Sequence, residues 1–271
     1  MSPRARVYGI VGLAAVGAAT AVVAITAATS THPPKPLGPR PGKPPFAADW
    51  TASPELSASV RDALRAWPHD TVSTLRALAR EHPRSAFVHL NLGLALFWNR
   101  DDAGALAEFR AAKRVDPDTP SAVRAGDLLH PNSPRGLPQF IPSFARATNK
   151  AQELLVRGIR LQRAGRPISA ERQFAAAAAL APNDPETQVA AAVGRFDKDH
   201  PERAFSRLGP LVRRFPHAQT VRFHLGILSL WIGGFAEARR QLRLAVADDP
   251  GTPYATEAKT LLARLGNVGT K

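Results

Sequence analysis

Small, apolar and proline positions recur along the chain at helical spacing, and the recurrence itself repeats. Counting forward from Gly158, an alanine follows after twelve residues (Ala170), a bulky residue after four more (Phe174) and a proline after another eight (Pro182). Similar intervals begin at positions 59, 93, 192 and 226, and the starts at 158, 192 and 226 are 34 residues apart. Residues three or four apart share one face of a helix, whereas proline stops a helix. The pattern therefore predicts stacked pairs of helices.

The pattern breaks within residues 120–142, where several prolines exclude a regular second helix. A short helix is predicted over residues 121–129, and the next helix over residues 143–164. Between them, residues 137–142 are apolar and extended, so we expect this segment to lie on another part of the protein.

The repeated positions resemble those of the tetratricopeptide repeat family. The matching residues are Leu92-Gly93 with Ala105, Phe109, Ala112 and Pro117; Gly158, Gly165, Ala170, Phe174, Ala177 and Pro182; and Leu225-Gly226, Gly233, Ala238, Ala245 and Pro250. The resemblance covers residues 52–265 and implies an all-α solenoid of about five to six helical hairpins with a C-terminal capping helix. It also implies protein–protein binding, since the first helix of each hairpin lines a peptide-binding groove in this family.

The N-terminal part of the chain has a different character. Residues 7–28 carry no charge, and a helix of that length spans about 33 Å, enough for a bilayer core. Two arginines precede it, which places a head of residues 1–6 in the cytoplasm and a repeat domain of residues 51–271 outside. We therefore predict a single-pass membrane anchor. A signal peptide cleaved near Ala28 is the alternative, and it would make the protein secreted.

Residues 29–50 connect this segment to the repeats. Seven prolines lie between His32 and Phe46, and each fixes φ and lacks an N–H group. The stretch is predicted to be an extended, Pro-rich linker of the polyproline II type.

The amino-acid composition and the missing motifs exclude several classes of functional site. The chain has no cysteine, which excludes disulfides, thiolate metal sites and cysteine nucleophiles. It contains no HExxH, phosphate-loop, GxSxG or dinucleotide-binding motif, so we expect no catalysis, cofactor or metal. The net charge of +14 would suit nucleic acid, but the predicted location and the lack of interleaved aromatic residues argue against that partner.

The candidate binding residues come from the predicted first helices. The proposed peptide groove is lined by Leu90, Leu94, Phe97, Trp98, Phe223, Ile227, Leu230 and Trp231. These residues are apolar, so the Lys/Asn clamp with which some family members grip a C-terminal carboxylate is not supported. Three interpretations remain open: plain core, an open apolar groove for a helix or extended peptide, or a groove occupied by residues 137–142 of the same chain.

A basic patch is the second candidate. Arg146, Lys150, Arg157 and Arg160 share one side of the predicted 143–164 helix, with Glu153 among them. The patch is either a solvated face with an internal Glu153–Arg157 pair or a docking site for an acidic partner, anionic lipid or wall polymer. The leading hypothesis is a non-catalytic interaction scaffold or assembly factor of a bacterial envelope. An anion-binding adaptor acting through the basic patch is the alternative.

Overall fold

The structure, a computed structural model, describes residues 38–266. All the helices and strands assigned in this range are α-helices, in agreement with the predicted all-α class. They are α1 (Pro54–Arg65), α2 (Thr71–Glu81), α3 (Ala86–Trp98), α4 (Asp102–Val115), α5 (Pro120–Leu129), α6 (Lys150–Arg163), α7 (Pro167–Leu180), α8 (Pro185–Val193), α9 (Glu202–Arg214), α10 (Gln219–Trp231), α11 (Phe235–Asp248) and α12 (Pro253–Gly266).

The membrane predictions fall on another part of the chain. The predicted head, residues 1–6, the anchor, residues 7–28, and the first part of the linker lie outside the described residues. Within residues 38–266, no helix combines the length and the apolar character needed to cross a bilayer.

Consecutive helices pair as hairpins, most extensively α3 with α4, α6 with α7 and α10 with α11. The repeated glycines permit the close approach within each pair. A Cβ atom on Gly93 would lie 2.5 Å from the Phe109 ring, and one on Gly226 would lie 2.8 Å from Leu242. Real Cβ atoms do not approach so closely, so a larger residue would force the two helices of the hairpin apart.

The turns inside the hairpins need a left-handed residue. Gly165 and Gly233 end α6 and α10 with φ values of 72° and 77°. The α3–α4 turn uses Arg100 instead, with φ of 62°. A non-glycine residue costs about 1–2 kcal/mol in this conformation. The Arg100 side chain donates from Nε to the Gly38 carbonyl oxygen at 2.8 Å, which ties this turn to the N-terminal segment.

The predicted 143–164 helix begins later than expected. Its observed start is Lys150, because Asn149 caps the helix by accepting a hydrogen bond from the Gln152 N–H at 2.9 Å. The predicted 121–129 helix is present as α5. Residues 130–149 between these helices form a long coil.

The helices form two groups that meet through polar contacts. Side chains of α1–α5 build one hydrophobic cluster in the first group. In the second group, side chains of α6–α10 build a cluster that also contains Phe140, and those of α10–α12 build a third cluster beside it. Among the described helices, α5 and α6 do not pack on each other. Instead, Arg166 pairs with Asp118 at 2.8 Å and Lys113 pairs with Asp197 at 2.7 Å. These ion pairs hold the second group on the first.

Candidate functional site

Two extended segments of the chain lie on the first helices of the hairpins. Helices α6, α8, α10 and α12 contact one another in that order, and α3 occupies the corresponding place in the first group. Two extended segments lie against these helices: residues 38–50 on α3, and residues 137–143 across the other four. We call the surface that they cover the first-helix face, residues 38–50 the N-terminal strap, and residues 137–143 the groove segment.

The groove segment has the alternation of an extended strand. Pro138 and Phe140 are buried, whereas Gln139 and Ile141 are exposed. Because successive side chains of an extended chain point in opposite directions, one side of the segment faces the helices and the other faces solvent.

Phe140 is the main apolar contact of the groove segment. Its side chain is only 1% exposed. The ring stacks on the imidazole of His224, with centroids 5.1 Å apart and an interplanar angle of 20°, and meets the Phe174 ring edge-on at 5.9 Å. Burying a side chain of this size contributes about 1.5–3 kcal/mol.

Both backbone polar groups of Ile141 are bound by side chains. The Ile141 N–H donates to Nε2 of His224 at 3.0 Å, and the Ile141 carbonyl oxygen accepts from the Tyr254 hydroxyl at 2.8 Å. Nδ1 of His224 lies 2.8 Å from the Thr220 carbonyl oxygen, a contact that only a protonated Nδ1 can make. Nε2 is therefore the unprotonated acceptor of the ring.

Electrostatics fix the protonation states of this pair. Burial lowers the pKa of His224 to about 4, so the imidazole is neutral at pH 7. Burial, reinforced by the nearby Glu186 carboxylate, raises the pKa of the Tyr254 hydroxyl far above its ordinary value, so it remains a donor. One neutral acceptor and one donor thus face one residue of an extended backbone.

Two more side chains bind the backbone on either side of Ile141. Gln162 of α6 accepts from the Phe140 N–H at 3.1 Å and donates to the Pro138 carbonyl oxygen at 3.2 Å. Glu186 of α8 accepts from the Ser143 N–H at 2.7 Å. The groove segment is therefore held by α6, α8, α10 and α12 mainly through its main chain.

The N-terminal strap is held in a similar way. The carboxamide of Asn91, fully buried in α3, accepts from the Ala47 N–H at 2.9 Å and donates to the Ala47 carbonyl oxygen at 3.1 Å. The Arg40 N–H donates to the Trp98 carbonyl oxygen at 2.7 Å. Residues 38–50, which belong to the predicted extended linker, are extended, and Asn91 and the end of α3 bind this stretch to the helical domain.

Asn91 and His224 occupy equivalent places. Each stands two residues before the repeated glycine of its helix, Gly93 or Gly226, and each binds the backbone of an extended segment. The sequence prediction missed both residues, because it assigned the groove to apolar positions. The available signal was a polar residue between two large apolar ones, in Leu90-Asn91-Leu92 and in Phe223-His224-Leu225.

Comparison with known proteins adds no identification. The chain matches no protein-family model, and no curated protein is similar to it. Within residues 38–266, no three His, Asp or Glu side chains gather as metal ligands would.

The eight predicted groove residues do not line one open channel. Leu90, Leu94, Phe223, Leu230 and Trp231 are buried, Trp98 and Ile227 are partly buried, and Phe97 is 37% exposed. All of them except Phe97 are assigned to three different hydrophobic clusters. The buried members are therefore part of the core rather than the lining of a channel.

The predicted basic patch is only partly preserved. Arg146 lies in the coil before α6, whereas Lys150, Arg157 and Arg160 are exposed on the helix. Lys150 Nζ lies 3.0 Å from a Glu153 carboxylate oxygen, so Glu153 pairs with Lys150 rather than with Arg157 as predicted. An exposed pair of this kind stabilises a helix by only a few tenths of a kcal/mol, about 0.3–0.5.

Proposed function

We propose that this chain is a tetratricopeptide-like repeat protein that binds a partner protein on its first-helix face. It acts without catalysis, as a scaffold or assembly factor. Residues 7–28 anchor it in the membrane of a bacterial cell, with the repeat domain outside the cytoplasm. The 34-residue recurrence of the sequence and the paired helices support the repeat assignment.

One observation carries the binding proposal. The first-helix face presents side chains that bind the N–H and the carbonyl oxygen of the same extended residue, at Ala47 through Asn91 and at Ile141 through His224 and Tyr254. Main-chain hydrogen bonds of this kind are how proteins hold extended peptides. The face is therefore chemically suited to a polypeptide ligand.

Site-specific photo-crosslinking of the full chain in its membrane tests the proposal. A photoreactive residue at Phe97 or Ile141 reports on the first-helix face, and one at Leu106 or Leu180 reports on the second helices α4 and α7. Phe97 and Leu106 are matched in exposure, at 37% and 39%. We expect a discrete protein adduct from the first pair and none from the second. Equal adducts from both pairs would refute a specific role of the face.

The same experiment separates the alternative, an anion-binding adaptor. Arg157 and Arg160 are exposed on α6, where they can attract an acidic partner. An adduct that forms beside Arg157 and disappears as salt is raised would favour that alternative, since salt screens exposed charges. An adduct at Ile141 that survives high salt supports binding on the first-helix face.

The membrane assignment has its own test. A reporter fused after Lys271 should be active only outside the cytoplasm, because two arginines precede the uncharged segment. Cytoplasmic activity would reverse the topology, and a mature protein starting near Thr29 would show a cleaved signal.

A further inference from the structure

We propose that the groove segment is a displaceable occupant. The first-helix face beneath it is the site for an internal, extended stretch of a partner chain that contains an aromatic residue. This inference rests on the proposed function and specifies its ligand. Phe140 and the backbone of Ile141 show the required chemistry in the chain itself.

The first-helix face binds the main chain of the groove segment more than its side chains. The polar contacts go to the main chain of Pro138, Phe140, Ile141 and Ser143. The Ile141 side chain is 42% exposed. Phe140 is the one large apolar side chain of the segment that is fully buried among the helices, and Leu137 packs partly buried against the same cluster. Any extended chain that supplies one aromatic side chain at this place can therefore make the same contacts.

The connection that carries the segment is long enough to let it leave. Residues 130–149 contain no helix, and connections of such length without secondary structure are uncommon in compact domains and are usually either functional or linkers. Upstream of the segment the chain is fastened: Lys198 Nζ lies 2.5 Å from Asp127 and 2.7 Å from the Pro134 carbonyl oxygen. Gly136, with φ of 75°, follows this fastening and marks the point from which residues 137–143 can swing away.

When the groove segment leaves the first-helix face, another extended chain must take its place. His224 is fully buried and Tyr254 nearly so. Departure of the segment would leave the His224 Nε2 acceptor and the Gln162 carboxamide without their present partners. Buried polar groups without partners are costly. Exchange for another extended backbone restores these bonds, so an incoming peptide competes directly with residues 137–143.

The charge of Glu186 and the tethering of the groove segment define the incoming ligand more closely. Glu186 accepts from the Ser143 N–H where the segment leaves the face, so a terminal carboxylate at this place would be repelled. The ligand is therefore an internal stretch. A second copy of this chain brings only the same residues, and the tethered segment outcompetes an identical untethered one through its effective concentration. A different protein with further contacts to the face meets both conditions.

Peptide binding to the full-length chain in detergent tests the inference. The probe is a fluorescent peptide with the sequence of residues 135–145, and its control carries serine in place of Phe140. The variant Phe140→Ser/Ile141→Ser weakens the tethered competitor. We expect the probe to bind this variant about tenfold or more tightly than the wild type, and the control peptide to bind neither. Leu106→Ser/Leu180→Ser, on exposed second-helix positions, should leave binding at the wild-type level.

A wild-type measurement covers the case in which the variant does not fold. Unlabelled probe in excess over the effective concentration of the tethered segment, on the order of millimolar, should speed amide hydrogen exchange at Ile141, as the chain's own segment is displaced, and leave the Ala47 amide unchanged. Unchanged exchange at Ile141, or no probe binding to a folded Phe140→Ser/Ile141→Ser variant, would overturn the inference. A dimer that forms through Phe140 would also overturn it in favour of segment exchange between copies. Adducts at Phe97 and Ile141 would still support the proposed function if the peptide failed.

Discussion

His224 and Phe140 form a stacked pair, with ring centroids 5.1 Å apart, between a first helix and the groove segment. The same imidazole accepts the Ile141 N–H through Nε2 and donates to the Thr220 carbonyl through Nδ1. Protonation of Nε2 would remove the acceptor and place a positive charge in a buried site. The pair therefore couples binding of the groove segment to the charge of one histidine.

This coupling predicts a loss of stability in acid. The pKa of His224 falls from 6.5 to about 4 on folding, so the folded state favours the neutral ring. Its stabilising contribution is complete above the unfolded pKa and is lost as the pH falls from about 6.5 to about 4. The loss amounts to about 3 kcal/mol, because one pKa unit corresponds to about 1.4 kcal/mol. Glu186 and Tyr254 are the titratable groups beside the ring, and Tyr254 stays protonated throughout.

Chemical unfolding of the wild type and of His224→Gln at neutral pH and near pH 4 measures this effect. Carboxylates also titrate in this range, so the difference between the two proteins is the relevant quantity. The wild type should lose about 3 kcal/mol more than the variant. Equal losses in both proteins would show that His224 is not the responsible group.

Alanine at two helical glycines, Gly158 and Gly126, should change the free energy of unfolding in opposite directions. A Cβ atom on Gly158 would overlap the Phe174 ring, whereas one on Gly126 in α5 would meet nothing within 4 Å. Gly158→Ala should lower the free energy of unfolding by about 1–3 kcal/mol through overpacking. Gly126→Ala should raise it by about 0.5–1 kcal/mol through helix propensity. Thermal unfolding of both variants checks the pair, and destabilisation by the Gly126 change would contradict the open space around it.

The periodic parts of the fold were predictable from sequence because they follow local rules. Gly165 and Gly233, two of the recurring positions, end their helices, since glycine meets the need for a positive φ. Arg100 performs the same role without that signal. The sequence pattern predicted too early a start for α6. Asn149 caps the helix, and the backbone N–H and hydroxyl of Thr148 donate to the Gln152 carboxamide, so the helix starts later.

The site was less predictable because it depends on contacts distant in sequence. Ala47 and Asn91 are 44 residues apart, and Ile141 and His224 are 83 apart. The expectation that residues 137–142 rest on another surface followed from their apolar, extended character. Which helices receive them depends on how the hairpins stack, and helical periodicity does not determine that.

Lys198 should control the position of the coil before α6. Its side chain is 4% exposed and bonds Asp127 and the Pro134 carbonyl oxygen. Lys198→Met removes both bonds, and we expect a loss of about 1–3 kcal/mol because buried partners are left unpaired. Hydrogen exchange should also become faster at Gly136, whose N–H donates to Asp127. Lys150→Met is the matched control, since Lys150 is exposed and should cost little. Equal effects of the two changes would refute a structural role for Lys198.

Asn91 should decide whether the N-terminal strap stays on the helical domain. Its carboxamide satisfies the N–H and the carbonyl oxygen of Ala47 and also donates to Phe87. Asn91→Leu keeps the size of the side chain but offers no hydrogen bond, so Ala47 must either stay unpaired or leave for water. We expect the free energy of unfolding to fall by about 1–3 kcal/mol.

Amide hydrogen exchange distinguishes release of the strap from general unfolding. In Asn91→Leu the Ala47 amide should lose protection, while the Ile141 amide keeps it because His224 is untouched. Asn132→Leu, at an exposed position in the coil after α5, serves as the control and should leave both amides unchanged. Loss of protection at both amides in Asn91→Leu would mean that the two extended segments are not held independently. Retained protection at Ala47 would mean that Arg40 and the other strap contacts suffice without Asn91.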